Sequence, residues 1–291
     1  MTDTFRVDGR GTGDGWDGRE ELARLRDEAR HLRRQARNRP LIAQAQGILR
    51  ERYRLDDAES AFALLQIASQ RFNVKLRILA DALVRLPRPD EGEGLWFPGR
   101  VRQAPPCLDT LGIDDPGNAP RSAVLREVLS QTLAVTGTYM GDVQIGDHEL
   151  GGLWMENHTG LSDDFVNFFD FVGGEGTSCA QAAKEMAQVT VHDVATAPVF
   201  TEDARRTILA AGSRAAHSVP LAAGGRCVGM VSAHFDRPLK DLHPAQLKAL
   251  ELTGRQAGSW LDWYDRTVVL DALEHLHEVA RHPGASRVRR R

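Results

Sequence analysis

The sequence has few cysteines and no long apolar run. Its three cysteines, Cys107, Cys179 and Cys227, are widely spaced and odd in number, which disfavours a disulfide framework and favours a reducing compartment. No apolar run approaches the roughly twenty residues of a membrane span. The N-terminus is rich in Gly and Asp, unlike a signal peptide. We therefore expect a cytoplasmic protein that has no membrane partner.

Motifs for catalysis and for metal binding are also missing. The sequence has no Walker loop, no nucleophile elbow, no Cys-x-x-Cys pair and no zinc-type spacing of His and Cys. His192 and His217 fall on strand-like runs, where a hydrogen-bonded structural role is common. The sequence therefore predicts a protein that is not an enzyme and that has no metal or other resident cofactor.

Charge is unevenly distributed along the 291 residues. Residues 19–86 carry fifteen Lys and Arg against nine Asp and Glu, whereas residues 87–291 carry twenty against twenty-seven. The formal net charge of −3 conceals this asymmetry. A basic front and an acidic rear are typical of a nucleic-acid-binding module joined to a module of another kind. The length suits about two domains.

Residues 40–86 predict three short amphipathic helices. The first has an apolar stripe at three- and four-residue spacing from Leu41 to Leu49. Asp56 is placed to cap the second helix, and Asn73 is placed to cap the third, which Pro87 ends. Three such stripes make a thin core, so this module should gain stability from a partner or from dimerisation.

The other face of the first helix combines small and polar residues. Ala43 and Gly47 let a backbone come close, while Gln46 and Arg50 offer hydrogen bonds and charge. This combination suits contact with nucleic acid. A solvated helix face, with the glycine accommodating a helix crossing, explains the same spacing.

The order of residues in this module resembles the ANTAR domain, the three-helix RNA-binding module of bacterial transcription antiterminators. The resemblance is carried by the runs 42–49, 57–62 and 64–69, with Asn73, residues 75–76 and Ala80. It implies binding to paired stem-loops in leader transcripts, which disfavours a terminator hairpin. On the matching positions and their neighbours we expect RNA contacts from Ala43, Gln46, Gly47, Arg50, Ser69, Arg71, Asn73 and Lys75. We expect the contacts on the first helix and at the turn between the second and third to form one surface.

The flanking segments have distinct compositions. Residues 1–18 are predicted to be disordered, and residues 19–39 predict an amphipathic helix with a coiled-coil-like stripe at 22–36. That helix either pairs with a second copy or lies on its own module. Residues 87–120 are a linker rich in Pro and Gly, with an apolar cluster at 95–97 that can dock on a domain. Residues 267–291 are a helix extension followed by a basic tail.

Residues 121–266 predict a domain with helices grouped around an antiparallel sheet. Alternating strand patterns occur at 142–145, 152–156, 189–194, 217–221 and 227–235, and Ser162 is a helix start signal. After Pro244 a long helix keeps a heptad stripe from 247 to 268, which slips near Asp271. The predicted class is α+β: an N-terminal three-helix bundle, then a domain with a central antiparallel sheet and a long C-terminal helix.

This second region resembles a GAF domain, a small-molecule sensor or dimerisation module. The resemblance is carried by residues 141–144, 160–169, 174–180, 191–194, 198–200, 218–221, 229–230 and 234–235. It implies a pocket between the sheet and its covering helices for an unknown small-molecule effector. The candidate pocket residues are Gln144, Trp154, Phe168, Cys179, Asp193, Phe200 and Ser218. Cys179 follows a Gly-rich turn that opens a helix, a position that lowers a thiol pKa, although a buried structural cysteine also fits.

These observations favour a bacterial, homodimeric transcription regulator that binds leader-RNA hairpins and promotes antitermination under the control of a GAF domain. Two alternatives stay open. In one, the protein is a GAF-centred interaction protein whose ANTAR module only dimerises, because Gln66 stands where the family commonly has a basic residue. In the other, the protein is a redox or haem sensor.

Overall fold

A six-stranded antiparallel sheet with helices on both faces forms the larger part of the protein, and a group of three helices precedes it. The computed structural model describes residues 24, 28, 39–90, 94–147 and 150–282. The disordered segment predicted at 1–18, nearly all of the predicted coiled coil and the basic tail lie outside the described residues. The predicted α+β class is confirmed.

The N-terminal helical domain consists of α1 (residues 39–53), α2 (Ala58–Phe72) and α3 (Leu76–Arg85). The expectation that Asp56 caps α2 is wrong by one position, because Asp57 is the N-cap and its carboxylate accepts from the Ser60 amide at 2.7 Å. The expectation that Asn73 caps α3 is also wrong. Asn73 instead ends α2 in the left-handed conformation at φ 51°, and α3 begins after Lys75 with no side-chain cap.

The sheet domain contains six strands in the order β3-β2-β1-β6-β5-β4. The strands are β1 (Met140–Asp147), β2 (Gly152–Thr159), β3 (Phe171–Val172), β4 (Val189–Val191), β5 (Ala215–Ala223) and β6 (Arg226–Phe235). The helices are α4 (Arg121–Thr136), α5 (Asp163–Phe168), α6 (Ser178–Glu185), α7 (Glu202–Ala210) and α8 (Pro244–Tyr264). Helices α4 and α8 cover one face and α5, α6 and α7 cover the other, so each face has its own apolar cluster.

The long C-terminal helix is continuous but contains one turn with π-helical hydrogen bonding. After α8, residues Asp265–Val269 form a π-helical turn, and α9 (Leu270–Arg281) follows. A π-helical turn accommodates one extra residue, which explains why the apolar stripe slips near Asp271. The guanidinium of Arg100 donates to the carbonyl oxygens of Arg266 and Thr267 at 3.2 and 3.3 Å, and it also pairs with Asp271.

The stripe of α8 is buried inside the chain. Leu250, Ala257 and Leu261 are buried between the sheet and α4, and Gly254 lies against β5. This packing accounts for the heptad spacing at 247–268 without a second copy of the chain. The other stripe from which a homodimer is predicted, at 22–36, lies outside the described residues except at 24 and 28.

The N-terminal helical domain shares its core with α9. Helix α2 packs on α9, and the buried residues of both belong to one apolar cluster that continues into α4 and α8. Burial raises the pKa of Tyr53 to about 12, and its hydroxyl lies 2.7 Å from Nδ1 of the buried His277 on α9. The partner that a thin three-helix core requires is therefore a helix from the far end of the same chain.

The predicted linker also contributes to this contact. It contains a 3-10 turn at Asp109–Leu111, and Trp96 is only 4% exposed. The Glu274 carboxylate on α9 accepts from the amides of Trp96 and Phe97 at 2.8 and 3.1 Å. The prediction that the cluster at 95–97 docks is confirmed for Trp96, whereas Leu95 is exposed.

Gly254→Ala should destabilise the protein by about 1–3 kcal/mol, because it overpacks a filled site. A Cβ at Gly254 would lie 2.6 Å from the Pro220 carbonyl oxygen. The matched control is Gly47→Ala on α1, where a Cβ meets no atom within 4 Å, so better helix propensity should stabilise the protein by up to about 1 kcal/mol. Urea unfolding of the three proteins measures both changes. Equal stability of the two variants would contradict the packing described for α8.

Candidate nucleic-acid interface

Three of the predicted RNA contacts lie on one exposed stripe of α1. Ala43, Gly47 and Arg50 are all exposed and follow one another at helical spacing. No atom lies within 4 Å of a Cβ built at Gly47. A ligand backbone can therefore approach this stripe closely, with the guanidinium at one end.

Gln46 has a different role from its neighbours. Its side-chain Nε2 donates to the Ala58 carbonyl oxygen at 2.9 Å, and the residue is half-buried. Arg50 Nη2 makes a longer contact of 3.4 Å with the Asp56 carbonyl oxygen. Gln46 therefore holds the α1–α2 turn, which places Arg50 at the edge of the exposed stripe.

The other four predicted contacts lie near the C-terminal end of α2. Ser69 Oγ donates to the Val74 carbonyl oxygen at 2.7 Å, and Asn73 is exposed in its left-handed conformation. The exposed Arg71 guanidinium lies 5.9 Å from the centre of the Phe72 ring. Ser69 therefore supports the turn from within, whereas Arg71 is available at the surface.

The structure separates the two groups instead of bringing them into one surface. Gln46 touches the first residue of α2, whereas Asn73 and Lys75 follow its last residue. The 15 residues of α2 extend over about 22 Å at 1.5 Å each. The expected single surface is therefore two patches at opposite ends of one helix.

Lys75 is held by the sheet domain. Its Nζ lies 2.5 Å from Oε2 of Glu156 on β2, and Arg77 pairs with Oε1 of the same carboxylate. Arg121 Nη1 lies 3.9 Å from Oε2. Burial alone would raise the pKa of Glu156, but Arg121, Arg77 and Lys75 outweigh it and lower the pKa to about 2. Glu156 is therefore a carboxylate that bridges the two domains.

Sequence reasoning missed Glu156 and Arg77 as interface residues. Lys75 and Glu156 are 81 positions apart, and neither belongs to a short motif that pairs them. The only sequence signal was the opposite net charge of the two halves of the chain, which predicts attraction without identifying the residues.

The seven candidate pocket residues are absent from the walls of three cavities found in the described part of the chain. The side chains of Cys179 and Ser218 are buried and linked to Ser232 by contacts of 3.2 and 3.0 Å. Gln144 is buried with its Oε1 unpartnered, and Phe200 is buried. The sheet face under α5, α6 and α7 is thus filled mostly by apolar side chains.

The remaining three pocket candidates are closer to the surface. Trp154 Nε1 donates to the Asp147 carboxylate at 2.8 Å, and Asp193 accepts from the Ala195 amide at 2.9 Å. Phe168 is 45% exposed and packs edge-on against Phe169. These contacts give each side chain a local partner in the fold.

Of the two interpretations of Cys179, the structure supports the buried structural cysteine and not the thiol with a lowered pKa. Cys179 is indeed the second residue of α6, but it is only 8% exposed. Burial raises the pKa of the thiol to about 12, since a thiolate there would lose its solvation. The thiol is therefore protonated at neutral pH and acts as a small core residue.

Ser213, His234 and Asp142 form a hydrogen-bonded chain that resembles a catalytic triad. Ser213 Oγ lies 3.0 Å from His234 Nδ1, and His234 Nε2 lies 3.2 Å from Asp142 Oδ1. The three residues are 0%, 5% and 1% exposed, so a substrate does not reach the hydroxyl. His217 is likewise buried and bonded to Thr190 at 2.8 Å, and burial lowers its pKa to about 4. These groups connect strands within the sheet.

Two further properties of the described residues concern partners. No three His, Cys, Asp or Glu side chains among them lie close enough together to hold a metal ion. Within the same residues, no helix combines the length and the apolar character needed to cross a membrane.

Comparison with known families divides the chain at the boundary that the fold shows. The ANTAR domain family matches residues 30–84, which contain α1–α3. The GAF domain family matches residues 120–259, which contain the sheet, α4–α7 and most of α8. No curated protein matches the sequence.

Several solved structures match about half of the chain at low sequence identity. A GAF domain/HD domain protein from Geobacter sulfurreducens has 14% identity and a TM-score of 0.44, over 51% of this chain and 96% of that one. The GAF domain of an Acinetobacter phosphoenolpyruvate-protein phosphotransferase has 14% identity and a TM-score of 0.44, over 54% and 93%. The free methionine-R-sulfoxide reductase of Neisseria meningitidis has 19% identity and a TM-score of 0.36, over 50% and 92%.

The two family matches agree with the resemblances found in the sequence and with the order of the two domains in the structure. They do not overlap, and the segment between them contains the docked Trp96. The chain therefore carries an ANTAR domain at residues 30–84 and a GAF domain at residues 120–259, which is the architecture of an ANTAR–GAF regulator.

Proposed function

We propose that the protein is a cytoplasmic bacterial regulator that binds paired stem-loops in leader RNA through its ANTAR domain and promotes antitermination. The observation that carries this proposal is the exposed stripe of Ala43, Gly47 and Arg50 on α1. A small-residue surface beside a guanidinium suits close approach of an RNA backbone, with phosphate contacts providing most of the affinity. The GAF domain controls this binding, and no catalytic step is involved.

Control operates through Lys75. A Glu156 carboxylate on Lys75 and Arg77 occupies cations that a phosphate group would otherwise engage. The ANTAR domain then presents the α1 stripe to solvent but has its second patch partly covered. RNA that contacts both ends of α2 must displace Glu156, so the GAF domain weakens RNA binding until that contact is loosened.

The alternative in which the ANTAR domain only dimerises is favoured by Gln66, which is exposed on α2 in place of a basic residue. The redox alternative has less support, because the Cys179 thiol is buried and has a raised pKa. Substitutions on α1 test RNA binding, and substitutions in the stripe at 22–36 test dimerisation.

Gly47→Glu should abolish most RNA binding, because it adds bulk and negative charge where the RNA backbone approaches. Arg50→Ala should weaken binding and reduce the slope of log affinity against log salt by about one unit or less. A gel-shift titration against a two-hairpin leader RNA at two salt concentrations measures both effects. Arg206→Ala, which removes another exposed arginine on α7, is the control.

Circular dichroism of each variant checks the fold, and Gly47→Ala tests whether bulk alone matters. If folded Gly47→Glu binds RNA as tightly as the parent protein, the α1 stripe is not the RNA site. The dimerisation-only alternative then becomes the better description.

Glu156→Gln should increase RNA affinity about threefold to tenfold, because it raises the fraction of molecules whose Lys75 is free to bind phosphate. Asp203→Asn removes an exposed carboxylate from an ion pair with Arg206 and changes net charge equally, so it is the matched control. The same gel-shift titration measures both. Affinity changes that are equal in the two variants would show that net charge, and not the domain contact, is responsible.

The protein should be a homodimer through the stripe at 22–36, because the stripe of α8 is buried within the chain. Light scattering at micromolar concentration should give the dimer mass, and the double variant Leu25→Glu, Leu32→Glu should give the monomer mass. Leu252→Glu, at a side chain 40% exposed on α8, should leave the dimer intact. A monomer mass for the parent protein would contradict this prediction.

A further inference from the structure

A cavity of about 300 Å³ lies between the ANTAR and GAF domains. Its walls are α3 on one side and β1, β6 and the end of α8 with the π-helical turn on the other. Ile145 and Val228, which line it, pack with the cluster under α4 and α8. The cavity is therefore on the sheet face opposite α5, α6 and α7, away from the predicted GAF pocket.

One charged side chain at this cavity lacks hydrogen bonds. Arg121, the first residue of α4, lines the cavity and is 8% exposed. Its Nε and Nη1 are buried without a hydrogen-bond partner. The nearest carboxylate oxygen, on Glu156, lies 3.9 Å from Nη1, which is too far for a hydrogen bond. Buried guanidinium groups are normally both paired and hydrogen-bonded, so Arg121 has unused capacity for an anion.

The carboxylates around the cavity are already engaged. Asp81 pairs with Arg85, and Asp262 pairs with Arg226 and Arg266. Asp147 accepts from the Trp154 indole and from the Leu150 amide. Asp265 is exposed on the π-helical turn. Three of the four aspartates at the walls thus have a named partner, whereas Nε and Nη1 of Arg121 have no hydrogen-bond acceptor.

The rest of the wall is apolar. Ile78, Ile145, Val228 and Leu270 are half-buried residues that line the cavity. The cavity of about 300 Å³ therefore has apolar surface beside the guanidinium of Arg121. A compact ring or branched chain with one charged group fits this space.

We propose that this interdomain cavity binds a compact organic anion, in which a carboxylate or phosphate group lies on Arg121 and an apolar body lies against Ile78, Ile145 and Val228. Arg77 lines the same cavity and pairs with Glu156, so the ligand anion and Glu156 compete for two guanidinium groups. The site does not depend on RNA binding, and it is tested without RNA.

The test uses phenyl phosphate as the probe, in a buffer free of phosphate and carboxylates. At 10 mM it should raise the melting temperature of the full-length protein by about 2 °C or more, since a ligand that binds only the folded state stabilises it. Benzyl alcohol, which has the ring but no charge, should give no such rise. Isothermal titration calorimetry then gives the dissociation constant.

Arg121→Met keeps an unbranched apolar stem in place of the arginine stem and should weaken phenyl phosphate binding about tenfold, because it removes the charged hydrogen-bond donors. Arg255→Met removes an exposed arginine of α8 that does not line the cavity and should leave binding unchanged. Val228→Phe narrows the cavity while leaving Arg121 in place and should also weaken binding. Glu156→Gln removes the competing carboxylate and should bind the probe at least as tightly as the parent protein.

Three results would overturn the proposal. The first is no shift of the parent protein with phenyl phosphate, and the second is an equal shift with benzyl alcohol. The third is unchanged binding in Val228→Phe, which decides the matter even if Arg121→Met does not fold. Loss of RNA binding in the gel-shift titrations would leave all three measurements as they are.

Discussion

The packing of α2 on α9 is the contact on which the arrangement of the two domains depends. Three short helices bury too little apolar surface to be stable alone, and here α9 completes their core, with Trp96 and His277 beside it. The apolar cluster continues from the ANTAR domain into α4 and α8, so separating the domains would expose it to water. Polar contacts at the edge of this core, such as that of Lys75 with Glu156, can therefore be broken at a lower free-energy cost than the core itself.

Glu156 illustrates how burial and charge act together at that edge. A carboxylate with a side chain only 7% exposed is costly unless cations surround it, and here three are present. The three do not contribute alike, because Lys75 remains half-exposed at 53% whereas Arg121 is 9% exposed. Lys75 is thus the cation most open to solvent, and Arg121 is the cation that lowers the pKa of the carboxylate most.

Local patterns predicted the helices and the hairpins, since three- and four-residue spacing and strand alternation are written in consecutive residues. These patterns gave wrong helix caps where two adjacent residues, or two roles of one residue, fit the same position. Asp56 and Asp57 are equally able to cap α2, and Asn73 suits both a cap and a left-handed end. Heptad spacing at 247–268 does not distinguish burial against a sheet from burial against a second helix. The Lys75–Glu156 contact and the pairing of α2 with α9 join distant segments, and only the folded chain brings them together.

The π-helical turn at Asp265–Val269 determines how α9 is rotated relative to α8, and so how the two domains are oriented. One residue of an α-helix corresponds to a rotation of about 100° around the helix axis. The extra residue in the π-helical turn therefore rotates the apolar face of α9 relative to that of α8. As a result, α8 packs in the GAF domain and α9 packs in the ANTAR domain. Arg100 bonds to carbonyl oxygens of this turn. Deleting a single residue here would rotate the polar side of α9 toward α2. The number of residues in this one helical turn thus determines the relative orientation of the GAF and ANTAR domains.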